Sequence, residues 1–398
     1  MEQKLRKNIK LYYWYSTFTN LLILGPVLTL FLLNRGLNFT QILTLQSIAA
    51  ITIVFMEVPT GAVGDLVGRK YSVMLGSFCM MISTFIYAFG HEYWLFILAE
   101  VVFSIGMCFK SGSDTALLYD SMKKLDMESK FKDVQGKGYG LALLAQIPGS
   151  ILAGYAFEYN EALPMIISGI FMLVAFIIEI FFTEVVVYEH EDKPSYLGQI
   201  TSSIKYTISH TKVRAIIIFT MFFYIFFRAG FWFFQPYLKA VDIPVVYFGY
   251  IFAIFNLVAA IVSKNSAEIM RRTKGKTLMC LGGLMVFSFM SLGVTNMAIG
   301  FVLILPQQIV RGMYKPVIMK TLNKNIPSTN RATIISLQSL VQNLAVALTL
   351  PAIGKLMDSV NIFKVHLIIG GIMLIGLIPL SIYLNLRLGK KNKEISVS

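Results

Sequence analysis

The sequence predicts an all-α membrane protein: twelve transmembrane helices in two pseudo-symmetric six-helix bundles, both termini cytoplasmic. Three observations carry this. First, 56% of the 398 residues are hydrophobic and only 14% charged, with a mean hydropathy of +0.68. Soluble domains carry about 45–50% apolar and about 25% charged residues. Second, apolar runs of about 20 residues recur almost end to end, long enough to cross a hydrocarbon core as helices. An outer-membrane barrel is excluded, because its strands alternate and give no such runs. Third, the net charge of +14 is unevenly spread. With the loops assigned alternately to two sides, 27 of the 35 Lys and Arg fall on the side of the N-terminus and only Arg35, Lys239, Lys355 and Lys364 on the other. That asymmetry is the positive-inside rule. The basic charge is a topology signal, and no nucleic-acid partner is expected.

The expected spans are residues 11–33, 41–63, 71–89, 93–119, 136–157, 162–183, 213–237, 245–263, 277–295, 298–321, 331–354 and 362–386. The basic N-terminus before an apolar run resembles a signal peptide, but the run is too long for an h-region and has no A-x-A site, so it reads as span one. Pro26, Pro59, Pro148, Pro236, Pro306, Pro316 and Pro351 lie in or at the ends of spans, where neighbouring helices can re-satisfy the backbone. The longest polar interruption, Glu184 to Lys212, separates spans six and seven. It divides the chain into an N-terminal bundle (1–183), a cytoplasmic linker (184–212) and a C-terminal bundle (213–398). A shift of about 200 residues sets Gly112 on Gly312, Gly154 on Gly354 and Glu158 on Asp358, a pattern that fits duplicated halves. Cys79, Cys108 and Cys280 lie in apolar stretches and suggest neither disulfides nor metal.

Between spans two and three lies Gly61-Ala-Val-Gly-Asp65-Leu-Val-Gly68-Arg69-Lys70. Gly61 suits a close helix approach, Asp65 a helix end and Gly68 a chain reversal, while Arg69 and Lys70 hold the turn on the cytoplasmic side. The spacing G-x-x-x-D-x-x-G-R-K resembles the loop 2–3 signature of the major facilitator superfamily, with every fixed position filled. The resemblance implies that family's fold and a conformational latch made of Gly61, Asp65, Gly68, Arg69 and Lys70. By the same resemblance Asp65 docks near the start of span eleven, around Arg331, and Arg69 pairs with Asp120. The corresponding second-half loop, Ser263 to Lys276, keeps Gly275-Lys276 but lacks the Asp.

A charge at the centre of a membrane helix costs about 2.5–3.5 kcal/mol, so each needs a reason. Candidate proton or charge sites are Glu57, Glu100, Asp114, Arg228 and Arg311. Glu57 reads equally as a proton-exchanging carboxyl or a packing carboxylate. Glu100 lies well inside span four. Lys110 and Asp114, four apart, can neutralise each other on one helix face, and Glu179, near a span end, can snorkel or bond there. Arg228 and Arg311 do not deprotonate and need a cavity or a carboxylate, and Glu100 opposite either one is a consistent arrangement. Asn20, Gln146, Tyr224, Trp232, Asn256, Gln307, Gln308 and Gln342 complete a candidate substrate cavity, mostly apolar and suited to amphiphiles.

No P-loop, metal cluster or G-x-S-x-G elbow occurs in the sequence, so no enzyme activity and no cofactor are expected, with a proton gradient as the energy source. Drug–proton antiporters of the superfamily also carry G-x8-G-P-x-x-G-G in span five. Here Gly140 and Gly149 keep the first spacing, but Ser150 replaces the proline. They usually carry an Arg in span four, where this chain has Glu100. The leading expectation is a proton-driven exporter of small hydrophobic or amphiphilic compounds, acting as a monomer in the plasma membrane, with lipid, protons and the solute as partners. The alternatives are a proton-coupled uptake symporter and a non-transporting membrane sensor.

Overall fold

The computed structural model describes residues 2–185, 205–273, 276–326 and 331–388, and among them all regular structure is helical. The linker expected over 184–212 falls mostly outside the described residues. Ten helices are long and apolar enough to cross a membrane. Large apolar side chains such as Phe55, Leu348 and Ile375 stand exposed along them, as a lipid-facing surface requires.

The expected spans one and ten are not among those ten; span one is broken, whereas span ten is continuous but its helix carries Arg311, Lys315, Lys320 and Lys324. Span one consists of α1 (Glu2–Asn20) and α2 (Leu28–Asn34). The turns between them contain Gly25 and Pro26, and proline removes a donor and clashes with the preceding turn. One freed amide, that of Ile23, donates to Ser168 Oγ at 3.1 Å. Span ten starts as a 3-10 segment, Ala298–Ile304, before the later helix Leu305–Asn325.

The chain forms two compact units: residues 1–191 with 243–257, and residues 192–242 with 258–398. The first unit contains α1, α2, α3 (Phe39–Val67), α4 (Arg69–Phe89), α5 (Tyr93–Lys110), α6 (Ser113–Lys123), α7 (Phe131–Tyr159) and α8 (Leu163–Ile180). Asn38 starts α3 with a reciprocal cap, its Oδ1 accepting from Gln41 N at 2.8 Å while Gln41 Oε1 accepts from Asn38 N at 3.0 Å. Helix α4 packs on α5 and α8, α3 on α5, and α1 on α7 and α8. Asn8, almost fully buried, ties α1 to Ser121 and to the backbone of Thr183 with three bonds of 2.9 Å.

The second unit contains α9 (Thr211–Ala240), part of α10 (Val245–Lys264), α11 (Ser266–Arg272), α12 (Thr277–Val294), α13 (Leu305–Asn325), α14 (Arg331–Ser359) and α15 (Ile362–Leu388). Here α12 packs on α13 and α15, and α9 on α13, α14 and α15. Spans three, four and six of the first unit thus pair as spans nine, ten and twelve of the second do, and spans one, five and six as spans seven, eleven and twelve. The same pairings on both sides are what a duplicated bundle gives. The first half of α10 belongs to the first unit, where Gly249 lies so close to the Ser150 carbonyl that a Cβ would collide with it.

Span four holds a second break. Helix α5 ends at Lys110, Gly112 adopts φ +79°, and α6 restarts at Ser113. That left-handed residue is cheap only for glycine. It overturns the expectation that Lys110 and Asp114 pair along one face: the i, i+4 geometry does not survive the break, and each finds a different partner.

Candidate functional site

The loop between α3 and α4 gathers several polar side chains of the first unit. Helix α3 runs past Asp65 to Val67, and Gly68 reverses the chain at φ +120°. Arg69 Nη2 pairs with Asp65 at 2.8 Å rather than with Asp120. The close approach expected at Gly61 lies instead at Gly64, where a Cβ would stand 3.0 Å from Ser113 Oγ; around Gly61 there is open space. Glu184, which sequence reasoning left to the linker, accepts from the backbone amides of Arg69 at 3.1 Å and Lys70 at 2.7 Å. A carboxylate on the first amides of α4 satisfies two orphan donors and complements the helix dipole. The Lys70 ammonium donates to Ile180 O at 2.7 Å.

Deeper in the same unit, four helices bring ionisable side chains together. Helices α4 and α5 meet backbone to backbone, a Cβ on Gly106 standing 2.7 Å from Gly76 O. This contact lays the stem of Lys110 over Gly76. The Lys110 ammonium donates to Thr19 Oγ1 and sits 5.0 Å from the centre of the Tyr15 ring. The Tyr15 hydroxyl donates to Asp114 Oδ2 at 3.2 Å. Glu179, on α8, is fully buried rather than snorkelling. Its Oε1 accepts from Ser77 Oγ at 2.6 Å, its Oε2 has no hydrogen-bond partner, and it lies in the field of Lys110. Tyr15, Ser77 and Thr19 carried no sequence signal, since a lone hydroxyl in an apolar run is ordinary.

Glu100 is held inside the first unit, its Oε1 accepting from Gln46 Nε2 at 2.7 Å and from the Tyr87 hydroxyl at 2.6 Å. Glu57 is exposed on α3. Asn20 ends α1 exposed and donates to Ser16 O at 2.8 Å. Gln146 is half-buried on α7, and Asn256 donates to Ser150 Oγ at 3.3 Å.

In the second unit α9 and α13 meet through stacked rings. Tyr314 lies 5.6 Å from Tyr224 and 5.0 Å from Phe227, centre to centre. Gln342 Nε2 donates to the Tyr314 hydroxyl at 2.7 Å. Arg228, one turn beyond Tyr224, is half-buried, and Arg311 and Lys315 are exposed on α13. Gln307 donates to Ser288 Oγ at 3.0 Å, whereas the buried Gln308 Oε1 has no partner. Trp232 is packed in the core against Phe231 rather than lining an opening.

The profile of the Major Facilitator Superfamily matches residues 15–350 and, in a second alignment, 218–396. The chain belongs to the Major Facilitator Superfamily. Among its relatives is YxaM of Bacillus subtilis, described as an uncharacterized MFS-type transporter, 24% identical over 348 residues, covering 83% of this chain and 84% of that one. The quinolone resistance protein NorA of Staphylococcus aureus is 22% identical over 168 residues, 42% of each chain. The crystal structure of a mutant of the nucleoside transporter NupG superposes with a TM-score of 0.83 over 94% of this chain and 99% of its own, at 15% identity. A POT family transporter in complex with 5-aminolevulinic acid gives a TM-score of 0.74 at 10% identity, over 96% of both chains. At such identities the structures speak for the fold alone. The chain is therefore a multi-pass membrane transporter of small molecules, and its relatives are transporters rather than enzymes.

Proposed function

We propose that this transporter exports small hydrophobic or amphiphilic organic compounds across the plasma membrane by proton antiport, as a monomer working by alternating access and without a cofactor. The observation that carries the reading is the fully buried Glu179, with one oxygen unpartnered, near the half-buried Lys110 and Asp114. An ionised carboxylate held out of water is expensive, and protonation removes that cost. A group so placed can take a proton from one side and return it to the other as its surroundings change. Glu179 is the acid we assign to that step, with Lys110 as the neighbouring cation. Glu57, Glu100 and Asp114 are the other carboxyls available to it. The Gly61–Lys70 turn serves as the latch: Asp65, Arg69 and Glu184 hold its present geometry, and Asp120 is the partner Arg69 would take when that geometry changes.

The relationship to a quinolone resistance protein favours efflux. The likeness in fold to a nucleoside transporter keeps a second reading, proton-coupled uptake of a metabolite. The directions of solute and proton in sealed vesicles separate the two. Expression in a susceptible host should raise tolerance to several unrelated amphiphiles, a quinolone among them. Unchanged tolerance to all, with substrate and protons moving the same way in vesicles, would replace export by uptake.

A further inference from the structure

Helix α9 carries Tyr224 and Arg228 one turn apart, and α13 carries Arg311, Tyr314 and Lys315 at i, i+3 and i+4, a spacing that puts them on one face. The stacking of Tyr224 and Phe227 on Tyr314 brings those two faces together. The bond from Gln342 fixes the Tyr314 hydroxyl. Among the described residues neither Arg228 nor Lys315 makes an ion pair or a side-chain hydrogen bond. No acid within the helices α9, α12, α13 and α15 is available to them, because these contain neither Asp nor Glu. Asp242 and Asp358 lie at helix ends, and Glu268 is paired with Arg271 and Arg272.

Arginine cannot shed its charge, and a cation within a membrane span calls for a counter-charge. Among the described residues none is paired with Arg228 or Lys315, but a stacked aromatic platform lies one helical turn away. We infer that this face binds an organic anion: an oxyanion group (carboxylate, sulfonate or phosphate) on Arg228 and Lys315, with a flat apolar body against Tyr224 and Tyr314. This names the substrate class of the transporter and rests on the proposed function for its passage across the membrane, though not for its binding. Guanidinium takes an oxyanion through paired N–H donors, and the rings add contact that favours aromatic over aliphatic bodies. An anionic lipid headgroup offers the same oxyanion chemistry and is the competing source.

The test uses the purified full-length protein and three probes that share one body: 2-naphthoate, 2-naphthylmethanol and 2-naphthylmethylammonium. Binding is measured by calorimetry in uncharged detergent, with and without phosphatidylglycerol, and with inorganic phosphate as a control. We expect 2-naphthoate to bind at least about tenfold more tightly than the alcohol or the cation. Phosphate alone should be weaker than the naphthoate. Arg228→Gln should remove that preference, Arg228→Lys should restore part of it, and Lys315→Gln should reduce it with the fold intact by size-exclusion profile. Equal binding of the three naphthyl probes overturns the inference, as does phosphate binding as tightly as naphthoate. Binding of phosphatidylglycerol with no binding of naphthoate in its absence assigns the face to lipid and overturns it too. A preference for naphthoate without any substrate-driven proton movement in vesicles upholds the anion site and rejects proton antiport. Proton-coupled export confined to neutral or cationic compounds does the reverse.

Discussion

The two units treat charge within their spans in opposite ways. In the first, Glu100, Lys110, Asp114 and Glu179 each engage side chains of neighbouring helices. In the second, Arg228 and Lys315 make no ion pair or side-chain hydrogen bond among the described residues, and each follows in sequence a ring of the Phe227–Tyr314 stack. In both bundles spans three, four and six pair as nine, ten and twelve do, and one, five and six as seven, eleven and twelve, so these pairings do not account for the difference. Fixed polar partners around a carboxylate suit a proton that comes and goes; an unmatched cation beside a ring stack suits a counter-charge that arrives with the solute.

Under the proposed function, the change that should break this division most severely is Glu179→Gln. It keeps the volume and a hydrogen bond to Ser77 but removes the titrating group. Transport driven by a pH gradient should fall by about 100-fold or more, while exchange of labelled for unlabelled substrate at equal pH persists. Loss of both activities in a well-folded variant would make Glu179 structural.

Packing offers a second contrast. Gly106→Leu forces a side chain into the Gly76 backbone, whereas Gly283 and Gly371 of the second unit face open space. The first should destabilise by about 1–3 kcal/mol or more, seen as a lowered melting temperature, and Gly371→Leu should leave it near wild type. Equal shifts would contradict the tight α4–α5 contact that places Lys110.

Smaller effects sharpen the comparison. Tyr314→Phe keeps the ring stack and removes the acceptor of Gln342 Nε2, at a cost of about 0.5–1.5 kcal/mol by thermal unfolding. Tyr314→Ala should weaken 2-naphthoate binding as well. Glu184→Gln retains an acceptor for the α4 amides but not the charge on the helix dipole, worth about 0.3–1 kcal/mol. A slowed transport rate with a small stability loss would support its place in the latch.

Much of this was legible in the sequence. The spans follow from apolar length, and the turn after α3 from the spacing of Gly68, Arg69 and Lys70. What local spacing cannot give is where a helix stops being regular. Lys110 and Asp114 have the spacing of a helical pair, and only the left-handed Gly112 between them sends the lysine to Thr19 and the aspartate to Tyr15. Pro26 looks like the other span prolines. Yet α3, α7, α9, α13, α14 and α15 run through theirs, while span one is interrupted around Gly25-Pro26. Glu179 sits near a span end in the sequence, but packing of α8 on α4 puts it opposite Ser77. Tyr314 was one tyrosine among 19, and its value comes from the rings that α9 stacks on it.

The most direct test loads inside-out vesicles of the full-length protein with acid and a pH-sensitive dye, then adds 2-naphthoate or a quinolone outside. The account predicts that the lumen becomes less acidic as substrate accumulates in it, in wild type and not in Glu179→Gln. Substrate entry with no proton leaving, or with protons entering alongside it, would contradict proton-driven export.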